Sequence, residues 1–160
     1  MEKITLNETH KEQLFTIPLL RDMPSLLQVT FFDYLDTATY AVRAGEIAIA
    51  QGIPCQHLYV LLDGLLNVEI IDGLGNRVQI EHIEAPRSFA TPHLFAPDSR
   101  MPATFTALKD SVLFTATKES TFRLLNENPE LLKSFLSVVG NCNYNTVSRF
   151  NALLCSTEKE

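Results

Sequence analysis

The chain has 160 residues, of which 46% are hydrophobic and 20% are charged, and its formal net charge is −6 at pH 7. This length and composition suit one globular domain with a sizeable core. The negative charge and the lack of a Lys/Arg run argue against a nucleic-acid surface, since backbone phosphates are met by clustered cations. No apolar run approaches the roughly 20 residues that span a bilayer, so no membrane partner is expected.

The three cysteines, Cys55, Cys142 and Cys155, are widely separated and form no CxxC pair. An odd number of separated thiols favours reduced cysteines over a disulfide framework. The polar start of the chain also lacks the charged-then-apolar layout of a signal peptide. The sequence therefore predicts a cytoplasmic protein.

Residues 1–36 predict a short helical lead-in. A first helix is expected over residues 6–15, with Asn7 or Thr9 as its N-cap. A second helix is expected over residues 26–35, because apolar residues recur there every four positions on one face.

Residues 37–83 predict several short β-strands. Residues 37–42 alternate in polarity and are rich in β-branched side chains, while residues 58–62 form a continuous apolar run, typical of a strand covered on both faces. Glycines fall where the apolar runs break, and residues 72–76 predict a hairpin loop. So many short strands with no helix between them predict a closed β-roll or jelly roll.

The same region carries a family resemblance. The pattern G-E-x-x-x-x-Q-G-x-P-x-x-x-L-Y-x-L-x-x-G-x-x-x-V runs from Gly45 to Val68. It resembles the front half of a cyclic-nucleotide-binding domain, and more narrowly the sensor domain of CRP/FNR-type bacterial transcription regulators. The resemblance implies an α+β fold: a double-stranded β-helix (jelly-roll-like β-roll) over residues 37–117, preceded by short helices and followed by C-terminal helices over residues 118–160.

Residues 84–106 contain four prolines and no sustained period, which predicts a loop carrying a short helical turn. In the family that this chain resembles, this segment is the phosphate-binding cassette. There a glycine and a glutamate open a short helix, the glutamate holds the ribose hydroxyl, and an arginine pairs with the cyclic phosphate. An anionic phosphate is suited to free N–H groups at a helix start together with a guanidinium.

Carried over position by position, the glycine falls on Ala90, the glutamate on Thr91 and the arginine on Met101, with Arg100 one residue early. The resemblance therefore implies a degenerate cassette, no cyclic-nucleotide cofactor, and an unidentified small-molecule effector. Arg87 stands where the family has a small residue and is expected to be exposed. The residues of the candidate pocket are Phe89, Ala90, Thr91, Arg100, Met101 and Thr104.

The last part of the chain predicts two strands over residues 103–117, a short helix over residues 118–126, and a long helix after Pro129. Apolar residues in the long helix step by three or four, a heptad-like stripe that predicts a homodimer. The alternative is that the stripe packs only on the roll. The residues of the stripe are Leu132, Phe135, Val139, Cys142, Thr146, Phe150 and Leu153.

Three functions were weighed. The first is the ligand-sensing, dimerising module of a CRP/FNR-like transcription regulator. The second is a cupin-type metalloenzyme, which requires closely spaced histidines, whereas His57, His82 and His93 stand apart, so no metal site or catalytic residue is predicted. The third is a stand-alone scaffold without ligand. The first is favoured, and the resemblance implies DNA contact only through a helix-turn-helix domain that this chain lacks.

Overall fold

A computed structural model describes residues 1–158, apart from the side chains at positions 149, 150 and 153–158. The strands are β1 (Glu2–Ile4), β2 (Thr37–Val42), β3 (Ile47–Ile49), β4 (His57–Asp63), β5 (Leu65–Ile71), β6 (Arg77–Glu84), β7 (Arg87–Phe89), β8 (Thr104–Ala107) and β9 (Ser111–Thr117). The helices are α1 (Glu8–Leu14), α2 (Ser25–Tyr34), α3 (Lys118–Glu127) and α4 (Pro129–Glu158), and Thr91–His93 forms a single 3-10 turn.

The strands form two antiparallel sheets that enclose the core. One has the order β1-β2-β9-β4-β7 and the other the order β3-β8-β5-β6. Buried side chains come from both, such as Val60 of β4 and Leu66 of β5. The predicted jelly-roll-like β-roll with short N-terminal helices and a long C-terminal helix is therefore confirmed.

Local sequence signals match the observed elements closely. The alternating strand at residues 37–42 is β2, and five successive residues of β4, Leu58 to Leu62, are buried as the continuous apolar run predicts. The Asn7 side chain accepts a hydrogen bond from the His10 backbone N–H at 2.8 Å, which caps α1. By contrast, β1 is not predicted, because its three residues show no alternation and exist as a strand only by pairing with β2.

Gly64 forms the tight corner between β4 and β5. Its φ is +104°, a conformation that disfavours every residue with a Cβ. A Cβ atom at this position would also overlap Ser111, whose Oγ accepts a hydrogen bond from Leu65 N–H at 3.3 Å. The corner therefore needs glycine for both backbone conformation and space.

The C-terminal helices rest on one end of the roll. Thr117 caps α3 by accepting a hydrogen bond from Ser120 N–H at 3.3 Å. Pro129 opens α4, where its missing N–H costs nothing. Phe135 anchors α4, being only 5% exposed and lying 5.6 Å from the Phe95 ring.

Over residues 1–158, no helix has both the length and the apolar character that crossing a membrane requires.

Candidate ligand cleft

The segment that follows β7 takes the place of the predicted cassette. Phe89 ends β7 opposite Tyr59 of β4, and the two rings stack at 5.6 Å. Ala90 then adopts a left-handed conformation with φ 55°, which costs an alanine about 1–2 kcal/mol. This is the position where the resemblance places the family's glycine, a residue that adopts this conformation without steric cost.

The structure does not bring the six predicted pocket residues together. Phe89 and Ala90 line a cavity of about 390 Å³ between the roll and α4, but the other four do not line it. Thr91 is buried and lines a separate apolar groove with Phe95. Thr104 accepts a hydrogen bond from Gln51 N–H at 3.1 Å, away from that cavity.

Met101 and Arg100 are also outside that cavity. Met101 is 2% exposed, and its backbone pairs with Ile53 O and Gly52 N–H at 2.7 and 2.9 Å, which fixes it in the core. The Arg100 side chain is 69% exposed and binds the Asp98 carboxylate through two 3.0 Å hydrogen bonds. This pairing lowers the pKa of Asp98 and raises the pKa of Arg100. The six residues therefore do not share one cavity in the structure, because Arg100 faces solvent and Met101 is packed in the core, and their role in binding a ligand stays a prediction.

The cavity beside Phe89, which we call the inner cavity, is largely apolar. Its floor includes Phe89 and Phe105, whose rings lie 4.9 Å apart. Val68 and Ile83 add aliphatic surface from β5 and β6. One wall belongs to α4, so any molecule in this cavity would contact that helix. The α4 residues in the wall are Cys142, Asn145 and Thr146.

A second cavity of about 780 Å³, which we call the outer cavity, adjoins the inner one. Both are lined by Glu81, Arg87, Ser88, Cys142 and Asn145, so they form one continuous cleft, called here the α4 cleft. The outer cavity is polar. Three cations line it, namely Arg21, Arg87 and Lys133.

Arg87 stands at the junction of the two cavities. Its guanidinium lies 3.4 Å from a Glu81 carboxylate oxygen, and its side chain is 43% exposed, as expected from the sequence. The strand period could have placed it, since Arg87 and Phe89 are two residues apart in β7 and therefore share a face. Sequence reasoning missed its part in the cleft because Arg21 and Lys133 come from distant segments.

The stripe predicted for the dimer divides between two faces of α4. Phe135 is buried in the roll, while Cys142 and Thr146 line the inner cavity. Leu132 and Val139 line the apolar groove beside Phe95. Phe150 and Leu153 lie outside the described side chains. Among the α4 side chains that the structure describes, the exposed large apolar residues are Leu132, Leu136, Tyr144 and Val147.

The dimer seam stays a prediction, but its described residues do not all lie on one free face of α4. Because α4 rests on the roll through Phe135, residues on that side of the helix are not free to meet a partner. Leu132, Leu136 and Val147 lie on the adjacent face, at the three-to-four-residue spacing of a helical stripe. Asn143 occupies the same stripe and is exposed.

The described residues contain no group of three or more His, Cys, Asp or Glu side chains arranged to hold a metal ion. Two free thiols are described: Cys55 is buried, and Cys142 is half-buried in the α4 cleft. Burial raises the pKa of the Cys55 thiol. That thiol is therefore protonated at neutral pH.

Comparison with known proteins identifies the family to which this fold belongs. A β-roll closed by a long C-terminal helix, with a cleft between them, defines a class of ligand-sensor domains. The family model described as "Cyclic nucleotide-binding domain" matches residues 40–128, more than half of the chain. The chain belongs to this family.

Solved structures agree with this assignment. The sensor domain of the transcriptional regulator DNR from Pseudomonas aeruginosa is 19% identical, with a TM-score of 0.73 over 87% of this chain and 91% of that one. A transcriptional regulator from Thermotoga maritima is 28% identical, with a TM-score of 0.66 over 72% and 89%. The catabolite activator protein of Thermus thermophilus is 16% identical, with a TM-score of 0.71 over 85% and 62%. Curated protein sequences gave no match.

Proposed function

We propose that this chain is the ligand-sensing and dimerising domain of a CRP/FNR-like transcription regulator that responds to a small molecule other than a cyclic nucleotide. The observation that carries the proposal is the burial of Met101 at the position of the family's phosphate-binding arginine. The regulator acts in the cytoplasm as a homodimer, and it contacts DNA through a separate helix-turn-helix domain.

The cassette does not fit a cyclic nucleotide. Thr91 offers no carboxylate to a ribose hydroxyl, which removes a charge-assisted hydrogen bond worth about 1.5–3 kcal/mol. Met101 offers no guanidinium to the phosphate, and loss of such a partner in a desolvated site costs roughly 2–5 kcal/mol. Pro92 in the 3-10 turn removes a further N–H donor.

Arg100, in its observed position, does not supply the guanidinium that is absent at Met101. Its guanidinium is held by Asp98 on the surface, and it does not line the α4 cleft. Recruiting it would require both the loss of this pair and a shift of the loop by one residue.

Isothermal titration calorimetry with cyclic AMP and cyclic GMP tests the proposal. We expect affinity at least about 300-fold below that of a nucleotide receptor, because the two losses sum to at least about 3.5 kcal/mol and each 1.4 kcal/mol is a factor of ten. A micromolar or tighter dissociation constant would contradict the proposal. In that case Arg100→Ala shows whether this arginine has taken the phosphate, and exposed Arg123→Ala is the matched control.

A further inference from the structure

The α4 cleft is divided by polarity into an apolar inner cavity and a cationic outer cavity. We propose that its ligand is an amphipathic anion, with an aromatic or aliphatic body in the inner cavity and one acidic head group at Arg87. This inference rests on the proposed function, because it names the chemical class of the effector that the domain senses.

The inner cavity suits the body of such a molecule. Its volume of about 390 Å³ lies within the usual range for small-molecule sites, about 300–1,000 Å³. The rings of Phe89 and Phe105 provide a flat apolar surface, and aromatic rings favour offset or edge contacts with other rings. An apolar body would therefore be held mainly by burial of its surface.

The outer cavity suits the head group. Three cations and two carboxylates, those of Asp22 and Glu81, line it, so its formal charge is 3 − 2 = +1, whereas the whole chain carries −6. Arg87 lies where the two cavities meet, so its guanidinium can reach a head group whose body stays in the inner cavity. Arginine binds carboxylates and phosphates through two parallel hydrogen bonds.

The contact between Arg87 and Glu81 is long enough that Arg87 can also bind an acidic head group. The guanidinium nitrogens lie 3.4 and 3.5 Å from the carboxylate oxygens, longer than the roughly 2.7–2.9 Å of a strong charge-assisted hydrogen bond. An acidic head group could therefore take a closer place at Arg87 without first breaking a strong pair.

The proposed ligand would also reach the dimerisation helix. Cys142 and Asn145 of α4 line both cavities, so a bound molecule contacts the helix and the roll at once. A head group at Arg87 places the charge where the two cavities meet, whereas Thr91 and Met101 of the cassette line neither cavity. The ligand therefore differs from a cyclic nucleotide in its anchoring.

Two fluorescent probes with the same aromatic body test the inference. The anion 1-anilinonaphthalene-8-sulfonate carries an acidic head, and N-phenyl-1-naphthylamine is its uncharged counterpart. The chain contains no tryptophan, so protein fluorescence interferes little with either titration. We expect one sulfonate molecule per chain, bound about tenfold or more tightly than the neutral probe, the equivalent of one charge-assisted hydrogen bond.

Variants identify the head-group site. Arg87→Gln is expected to weaken the sulfonate about tenfold while leaving the neutral probe unchanged. Arg77→Gln is the matched control, since Arg77 also pairs with a glutamate of the same sheet, Glu69 at 3.2 Å, but lies outside the cleft. The double variant Arg21→Gln/Lys133→Gln changes only exposed side chains and lowers the formal charge of the outer cavity from +1 to −1. It is expected to weaken the sulfonate severalfold, which keeps the inference testable if Arg87→Gln does not fold.

The inference is overturned if the sulfonate fails to bind at micromolar concentration, or if the two probes bind equally. It is also overturned if the folded cation variants all bind the sulfonate as the wild type does, which would place the probe in the apolar groove beside Phe95. Thermal melting identifies the folded variants. These outcomes are separate from the calorimetry above, where cyclic-nucleotide binding would overturn the proposed function itself.

Discussion

Single backbone positions determine how closely the strands of the roll approach one another. Gly64 and Ala90 both adopt left-handed conformations, with φ +104° and 55°. Ala90 carries its methyl group in the lining of the α4 cleft, whereas a Cβ at position 64 would overlap both the backbone and the side chain of Ser111. The two positions therefore differ in how they respond to substitution.

Gly64→Ala is expected to destabilise the fold by about 2–5 kcal/mol, the sum of left-handed strain and overpacking. Gly73→Ala is the control, because nothing lies within 4 Å of the Cβ that it would add. Urea unfolding followed by circular dichroism measures both variants. Equal midpoints for the two would contradict the steric argument.

Burial of Tyr59 makes the stability of the fold depend on pH in the alkaline range. Burial raises its pKa from 10.0 to about 12, since the charged phenolate is poorly solvated beside Phe89. Because the folded-state pKa is the higher one, this stabilisation is complete below pH 10 and is lost as the pH rises through about 12.

Tyr59→Phe is therefore expected to flatten the fall in unfolding free energy above pH 10, while the stacked ring is kept. Tyr144→Phe, at a side chain that is 69% exposed, is the matched control variant. Denaturant titrations at a series of alkaline pH values measure the unfolding free energy of both variants and of the wild type. A profile for Tyr59→Phe as steep as that of the wild type would refute the assignment.

The helix α4 has two roles, and each belongs to a different face of the helix. One face holds the helix to the roll through Phe135 and closes the α4 cleft, and the adjacent face carries Leu132, Leu136 and Val147. In the proposed homodimer, a ligand that shifts the first face would also move the second, which would connect the α4 cleft to the dimer contact. The exposed apolar stripe supports the proposed homodimer.

Leu136→Asp is expected to dissociate this dimer, because an unpaired charge at an apolar seam is costly to bury. Leu136 is a better probe than Val139, since Leu136 is 59% exposed in the single chain and its substitution spares the core. Ser148→Asp, on a polar face of the same helix, is the control. Sedimentation velocity would count against the proposal if it showed the wild type as a monomer at micromolar concentration.

At the scale of the whole molecule, charge determines what the isolated chain binds. Its formal charge of −6 produces a field that repels DNA. The three cations of the outer cavity line a cleft that also holds Asp22 and Glu81, so they do not form an extended basic surface.

The isolated chain is therefore expected to show no measurable DNA binding at physiological salt. Fluorescence anisotropy with a labelled duplex measures this, and repeating the titration at low salt reveals any weak electrostatic component. Salt-sensitive binding at physiological ionic strength would be the contrary result.

The sequence by itself determined the local structure and the family. Strand alternation in β2, the apolar run of β4, the N-cap at Asn7 and the corner at Gly64 depend on neighbouring residues, so their chemistry is visible in the chain. The proposed replacement of the cassette arginine by Met101 also comes from the sequence, because it requires only alignment to a motif.

Only the tertiary structure decided which side chains meet in the α4 cleft and which face of α4 stays exposed. Arg21, Arg87 and Lys133 lie far apart in sequence and converge through packing of α4 on the roll. The heptad-like stripe could not show that Phe135 faces the roll, since periodicity gives the spacing of a helical face but not its partner. The set of residues in the α4 cleft and the exposed face of α4 both depend on long-range packing, which no local pattern encodes.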